Sequence, residues 1–321
     1  MNSMKIFRRF PSQHSDFVHD MSFDFYGKRL ATCSSDRKIK IWEEHGQDWR
    51  LEYEWNAHQA SVWKVEWAHP EFGQILASCS FDRTVSIWED QGLYLNPSAS
   101  SSDPEGWRNQ AQLVDARDSV HDVKFAPRHL GLRLATASED GFVRMYEAID
   151  VMNLSHWPLQ EEFLADKDGA TCVSWNKSRF DVPMIVVGGN SEVAKVWDTT
   201  IQLVGHTDAI HDVCWAPNMG RSSHLLATAS KDRTVRIWRL TIQEDDHLQA
   251  DVEEVARKHH HDSEVWRVEW NVTGTMLASS GDDGTVRMWK SDFEGNWACV
   301  NTICGDLGPV VAPPPMDLRT S

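Results

Sequence analysis

Serine, histidine and aspartate recur along this chain at repeated spacing. These are the residue types that an acyl-transfer enzyme uses as nucleophile, base and orienting acid. His14, Ser34 and Asp36 form one set, His58, Ser80 and Asp82 a second, and His206, Ser230 and Asp232 a third. Each set ends on a tryptophan, Trp42, Trp88 and Trp238. A hydrolase needs one exposed nucleophile and one oxyanion hole, not equivalent copies. The sequence also has no G-x-S-x-G elbow. Repetition therefore assigns these residues to structure, and no catalytic residue is expected.

Other reactive groups read the same way. Cys33 and Cys79 sit three residues before their aspartates, in a slot that elsewhere holds Ala137, Gly188, Ala229 and Ser280. That slot requires a small side chain, so the cysteines are packing residues. Three adjacent histidines, His259 to His261, cannot all converge on one ion from an extended chain. No metal or cofactor is expected. Arg37, Arg83 and Arg233 follow the turn aspartates. They would line one rim and read an acidic peptide, or be a solvated edge.

The elements that position these residues repeat six times. Segments 31–42, 77–88, 135–146, 186–197, 227–238 and 278–289 close on Trp42, Trp88, Tyr146, Trp197, Trp238 and Trp289. The closing aromatics lie between 41 residues (Trp197 to Trp238) and 58 residues (Trp88 to Tyr146) apart. In the first copy, Ile39 and Ile41 alternate with Lys38 and Lys40, a strand signal. Upstream of each copy lies a second strand: 18–23, 62–67, 120–125, 170–175, 210–215 and 265–270. Turn residues separate the two, and a fourth strand follows most closing aromatics, as in 49–55 and 296–303. Four antiparallel strands make one propeller blade.

The pattern resembles the WD40 family over about residues 13 to 304. That resemblance implies an all-β, six-bladed propeller. Each blade would be pinned by a tetrad of histidine, strand serine, turn aspartate and closing tryptophan. The three sets above are complete. The sixth copy keeps His261, Asp283 and Trp289 with Gly281 for serine. The third keeps Ser138 and Asp140, with Ala116 for histidine and Tyr146 for tryptophan. The fourth keeps only Trp197, beside Asp166, Gly189 and Ser191, and is expected to be least well pinned.

The net charge is −16, with 48 acidic against 32 basic residues. An acidic surface repels phosphate backbones and anionic lipid, which argues against direct nucleic-acid or membrane binding. No stretch approaches the ~18 apolar residues of a spanning helix. Without a signal peptide or a C-x-x-C pair, the six cysteines read as reduced thiols of an intracellular protein. Residues 95–106 read as a mobile Ser/Pro-rich loop and 306–321 as a disordered tail. In the insertion 148–163, a short helical turn is expected to dock Met152, Leu154 and Trp157 on the blade edge.

Strand accounting raises a question about ring closure. The sixth copy supplies its own outer strand, so the N-terminal strand within residues 1–12 has no blade to complete. Either six blades close among themselves, or the ring is open and a partner fills the gap. An open gap exposes apolar faces and strand edges, which strands added in trans would cover. The candidate partner-binding residues are Lys5, Ile6, Phe7 and Phe10 with Val18, Met21 and Phe23 of blade one and Val265, Val268 and Trp270 of blade six.

A narrower resemblance rests on segments 23–42, 61–89, 120–162 and 265–290. These are similar to the Seh nucleoporin family, with DVMNLSHWPLQ (150–160) and SSGDDGTVRMWK (279–290) favouring it over the Sec-thirteen propellers of vesicle coats. This implies an open propeller completed by a β-blade from a helical-solenoid nucleoporin, within the Y-shaped outer-ring complex of the nuclear pore. It also implies sharing with a vacuolar or lysosomal complex that regulates nutrient signalling through TOR kinase. A vesicle-coat-type scaffold and a closed, peptide-reading adaptor are the alternatives.

Overall fold

The computed structural model describes residues 10–46, 48–92, 106–197, 201–242, 250–258, 261–292 and 294–305. They form a six-bladed, all-β propeller, each blade a four-stranded antiparallel meander. Blade one holds β1 (Val18–Phe23), β2 (Arg29–Ser34), β3 (Lys38–His45) and β4 (Asp48–Asn56). Blade two holds β5 (Val62–Trp67), β6 (Ile75–Ser80), β7 (Val85–Asp90) and β8 (Trp107–Leu113). Blade three holds β9 (Val120–Phe125), β10 (Arg133–Ser138), β11 (Phe142–Glu147) and β12 (Leu159–Leu164). Blade four holds β13 (Ala170–Trp175), β14 (Ile185–Gly189), β15 (Val193–Val196) and β16 (Gln202–Val204). Blade five holds β17 (Ile210–Trp215), β18 (His224–Ser230), β19 (Val235–Ile242) and β20 (Ala250–Lys258). Blade six holds β21 (Val265–Trp270), β22 (Met276–Gly281), β23 (Thr285–Ser291) and β24 (Trp297–Cys304).

Burial follows position in the sheet. Second strands such as β6 (ILASCS) are buried throughout, because a neighbouring blade covers each face. Outer strands such as β24 begin on a buried Trp297 and then alternate between exposed and half-buried residues, because one edge meets water. Five apolar clusters hold the blades together, one at each junction from blades one and two to blades five and six. Among the described residues, no such cluster joins blade six to blade one. Cys33 and Cys79 are buried at the first two junctions, and burial raises both thiols well above their ordinary pKa.

The inner strands carry a second bond layer. Asp20 Oδ2 accepts the Val65 N–H at 3.2 Å, Asp122 Oδ2 that of Val173 at 2.9 Å, and Asp212 Oδ2 that of Val268 at 2.9 Å. These carboxylates tie blades one to two, three to four and five to six. Lys64 reaches Asp122 at 3.4 Å and Asp212 at 3.9 Å across the channel. Burial and Arg267 oppose its charge, but the two carboxylates outweigh them and keep the Lys64 pKa raised. Blade six meets blade one at this level, where Arg267 Nε lies 4.0 Å from Asp20.

The insertion after β11 forms turns rather than the expected helical turn, with a bridge between Asp150 and Asn153. Leu154 and Trp157 dock into the cluster between blades two and three, while Met152 points to solvent. Asp150 Oδ1 accepts the Met152 N–H, which folds the turn so that residue 152 faces outward. The segments 1–9, 93–105 and 306–321 lie outside the described residues.

Candidate interface at the ends of the ring

Each complete blade is pinned by a relay, but its hydroxyl is not the serine nearest the turn. In blade one, Trp42 Nε1 donates to Thr32 Oγ1 at 3.0 Å. Thr32 Oγ1 lies 3.0 Å from His14 Nε2, and His14 Nδ1 lies 2.9 Å from Asp36 Oδ2. The carboxylate only accepts, so Nδ1 carries the proton and Nε2 takes the hydroxyl's. The same path runs His58–Ser78–Trp88, His206–Thr228–Trp238 and His261–Ser279–Trp289. Asp82, Asp232 and Asp283 close those paths from the histidine Nδ1 side.

This corrects the assignment of Ser34, Ser80 and Ser230. Those hydroxyls accept the N–H of Asp36, Asp82 and Asp232, each at 3.1 Å, and so shape the turn. The register puts the closing tryptophan's indole beside the hydroxyl two residues earlier. Gly281 therefore costs the sixth relay nothing, since Ser279 completes it. Burial alone would raise the turn aspartates, but hydrogen bonds win. Bonds from Thr285 and His261 lower Asp283 to about 2. Burial lowers His14, against the opposing effect of Asp36.

Blades three and four use other pins. Arg144 donates to Ser138, Asp140 and Glu162 from a buried position, and Tyr146 donates to Asp115 at 3.0 Å. In blade four, Asp166 stands in the histidine slot and accepts the N–H groups of Ser191 and Asp168. Gly189 admits that carboxylate: a Cβ there would sit 2.3 Å from Asp166 Oδ2. Trp197 stacks on Phe163 with ring centroids 3.4 Å apart.

The ring's two ends differ from its junctions. At each of the five sealed junctions, the trailing face of one blade meets the leading face of the next. On the leading face of blade one, Val18, Met21 and Phe23 are 42%, 66% and 54% exposed. Their counterparts in blade six, Val265, Val268 and Trp270, are 0%, 3% and 6% exposed, packed in the cluster with blade five. Val265, Val268 and Trp270 therefore do not form the free flank of blade six. Side chains alternate across the pleat, so the free face carries the other set. Val286 and Val300 are exposed and Met288 is partly exposed on blade six, where Ile39 and Ile41 of blade one are sealed.

Phe10 adds a detail that the sequence did not disclose. Its ring lies 5.1 Å from Trp42, tilted by 57°, and 6.2 Å from Trp49, tilted by 27°. Phe23 meets Trp49 edge-on at 5.7 Å. At the junction of blades one and two, Trp55 lies 5.4 Å from Trp88 at 55° and 5.5 Å from Trp107 at 15°, and Trp67 meets Trp107 edge-on at 5.5 Å. Phe10 thus takes, over blade one, the place that an outer-strand tryptophan of a preceding blade takes over blade two. Lys5, Ile6 and Phe7 lie outside the described residues.

The chain is 46% identical to nucleoporin SEH1 of Xenopus tropicalis over 96% of its own length and 91% of that protein's. Nucleoporin SEH1 of Homo sapiens is likewise 46% identical over the same shares, and that of Osmerus mordax 44% identical over 96% and 89%. The chain belongs to the nucleoporin SEH1 family. The family model "WD domain, G-beta repeat" matches residues 5–43, 49–89, 199–239 and 253–290. Those matches fall on blades one, two, five and six, which carry the full relays. Blades three and four of this SEH1-family chain are the ones with substitute pins, which is why a repeat model passes over them.

Proposed function

We propose that this chain is a non-enzymatic scaffold subunit of the nuclear pore. It accepts a β-blade from a partner protein between blades six and one. The carrying observation is the Phe10–Trp42–Trp49–Phe23 cluster. It repeats the aromatic geometry of a blade junction, with the Phe10 ring in the place of an outer-strand tryptophan. The wedge then needs three more strands, and the uncovered positions Val18 and Met21 are those that such inner strands would bury. Complete burial of a Val, Met or Phe side chain contributes about 1.5–3 kcal/mol. Lys5, Ile6, Phe7 and Phe10 are the N-terminal residues proposed to bind that partner.

The partner is a helical-solenoid nucleoporin of the Y-shaped outer-ring complex, and the assembly supports nucleocytoplasmic transport at the nuclear envelope. A vacuolar or lysosomal complex that regulates TOR signalling would use the same seam. The relays support a scaffold rather than an enzyme. Thr32 and His14 have the hydroxyl-to-imidazole-to-carboxylate wiring of a catalytic triad. However, the hydroxyl is buried and accepts the Trp42 indole, and the arrangement recurs in four blades.

The test is purification of the tagged chain from cells, with identification of stoichiometric companions. The Met21→Asp, Val286→Asp double variant should fold yet lose a solenoid companion that the Arg233→Glu variant retains. Retention of that companion by the seam variant overturns the proposal.

A further inference from the structure

At the end of the propeller where the turns before β3 and β7 lie, one position repeats with an unusual chemistry. In every inner strand the pairing shifts at the second residue, as a β-bulge. A bulge leaves one residue out of the ladder and re-aims its side chain. The six bulged residues are His19, Trp63, His121, Thr171, His211 and Trp266. Five of the six are rings, all half-buried or exposed, although the residues on either side of them are mostly sealed.

The rings touch in two runs, one across blades one to three and one across blades five and six. His19 lies 4.6 Å from Trp63, and Trp63 stacks on His121 at 5.5 Å. His211 stacks on Trp266 at 4.1 Å. Phe81, itself more than half exposed, leans on both Trp63 and His121. The indole Nε1 of Trp63 is buried without a hydrogen-bond partner. Burial holds His19, His121 and His211 below the ordinary imidazole pKa, so they face the mouth as neutral rings near pH 7.

Carboxylates edge these rings. Glu139 lies 3.6 Å from His121, Glu264 lies 3.3 Å from His211, and Asp282 accepts the Trp266 indole N–H at 2.7 Å. An aromatic face attracts a cation, and a nearby carboxylate adds charge attraction. Lys64 and Arg267 occupy the next level of the channel, where Asp122, Asp212 and Asp20 pair with them.

We propose that this collar is a binding site for an extended peptide that presents a lysine or arginine side chain to the channel mouth. The site is separate from the seam between blades six and one, and needs no wedge partner. It opposes in sign the acidic-peptide reading based on Arg37, Arg83 and Arg233. Those arginines stand one residue beyond the turn aspartates.

The test uses the full chain labelled with 5-fluorotryptophan, with Trp63 and Trp266 assigned through Trp63→Phe and Trp266→Phe. The probes are acetylated, amidated Gly-Arg-Gly-Arg-Gly, its lysine counterpart and its glutamate counterpart. The arginine and lysine peptides should shift the Trp63 and Trp266 signals saturably, at least about tenfold more tightly than the glutamate peptide. The Glu139→Gln, Glu264→Gln, Asp282→Asn triple variant should weaken that binding roughly tenfold while the Trp42 and Trp238 signals report an intact fold. Preference for the glutamate peptide, no saturable shift up to about 10 mM, or unchanged affinity in the folded triple variant overturns the proposal.

Discussion

Blades six and one carry the same kind of leading face, yet one is sealed and the other bare. Val265, Val268 and Trp270 pack against blade five, while Val18, Met21 and Phe23 are exposed among the described residues. The residue types are nearly interchangeable. A monomer that stopped at blade one would be expected to carry polar residues there, because exposed apolar surface has to be covered. Blade one retains the residue types of an interior junction. The two faces share residue types and differ in burial, and that difference is what the proposed wedge would remove.

The largest expected effect sharpens that comparison directly. Val268→Asp buries an unpaired carboxylate in the blade five–six cluster and should cost more than about 4 kcal/mol, leaving little folded protein. Met21→Asp is the equivalent change on the bare face and should shift stability by no more than about 0.5 kcal/mol. Urea unfolding of both variants measures the gap. Equal losses would mean that blade one is covered within the chain itself.

The relays give the next effect. Thr32→Val and Thr228→Val each leave a buried indole N–H and a buried imidazole nitrogen without a partner, at a cost of about 1–3 kcal/mol. Blades of a repeat fold interact mainly with their neighbours, so the end blade should open locally. Amide exchange should therefore speed up within β1 to β4 in Thr32→Val, while Thr228→Val lowers protection on both sides of blade five. Uniform acceleration in both variants would argue that the ring behaves as closed.

Much of this was legible from the chain alone. The six inner strands stand at the positions that alternation and turn residues gave them, because each is flanked by a loop and a hairpin. The relay hydroxyl was missed because two small polar positions lie on one strand face, as with Thr32 and Ser34. Choosing between them requires the cross-strand register. The signal was present in the sixth copy, where Ser279 persists although residue 281 is glycine. The free face of blade six was misread because Val265 and Val286 are equally apolar, and only the direction of blade stacking separates them. Nothing in the sequence marks Phe10 as a substitute for an outer-strand tryptophan.

Acid should act on all four relays in the same direction. The turn aspartates have lowered pKa values in the folded chain, as for Asp283 at about 2. Their stabilising contribution is therefore complete above the unfolded value of about 3.9 and is lost as pH falls from there toward 2. His14 is also lowered, so the unfolded chain binds its proton first and stability begins to fall below about pH 6.5. Thermal unfolding followed across pH should show a shallow decline, then a steep one. Asp283→Asn should remove part of the steep decline, and amide exchange should register that change in blade six. An unchanged profile in that variant would disconnect the relay from acid stability.

The smallest expected effect concerns the turns. Arg37, Arg83 and Arg233 hold φ values of 69°, 70° and 66°, in the left-handed region, where blades three and six place Gly141 and Gly284. A side chain in that region costs roughly 1–2 kcal/mol. Glycine relieves this but adds unfolded-state freedom worth about 0.5–1 kcal/mol. Arg233→Gly should therefore stabilise the protein by less than about 1 kcal/mol. Arg37→Gly should produce the same gain locally, as slower exchange confined to blade one, if that blade is coupled to the ring on one side only. A gain shared around the whole ring would mean that blade six already holds blade one in place, and the contrast between the two leading faces would lose its functional meaning.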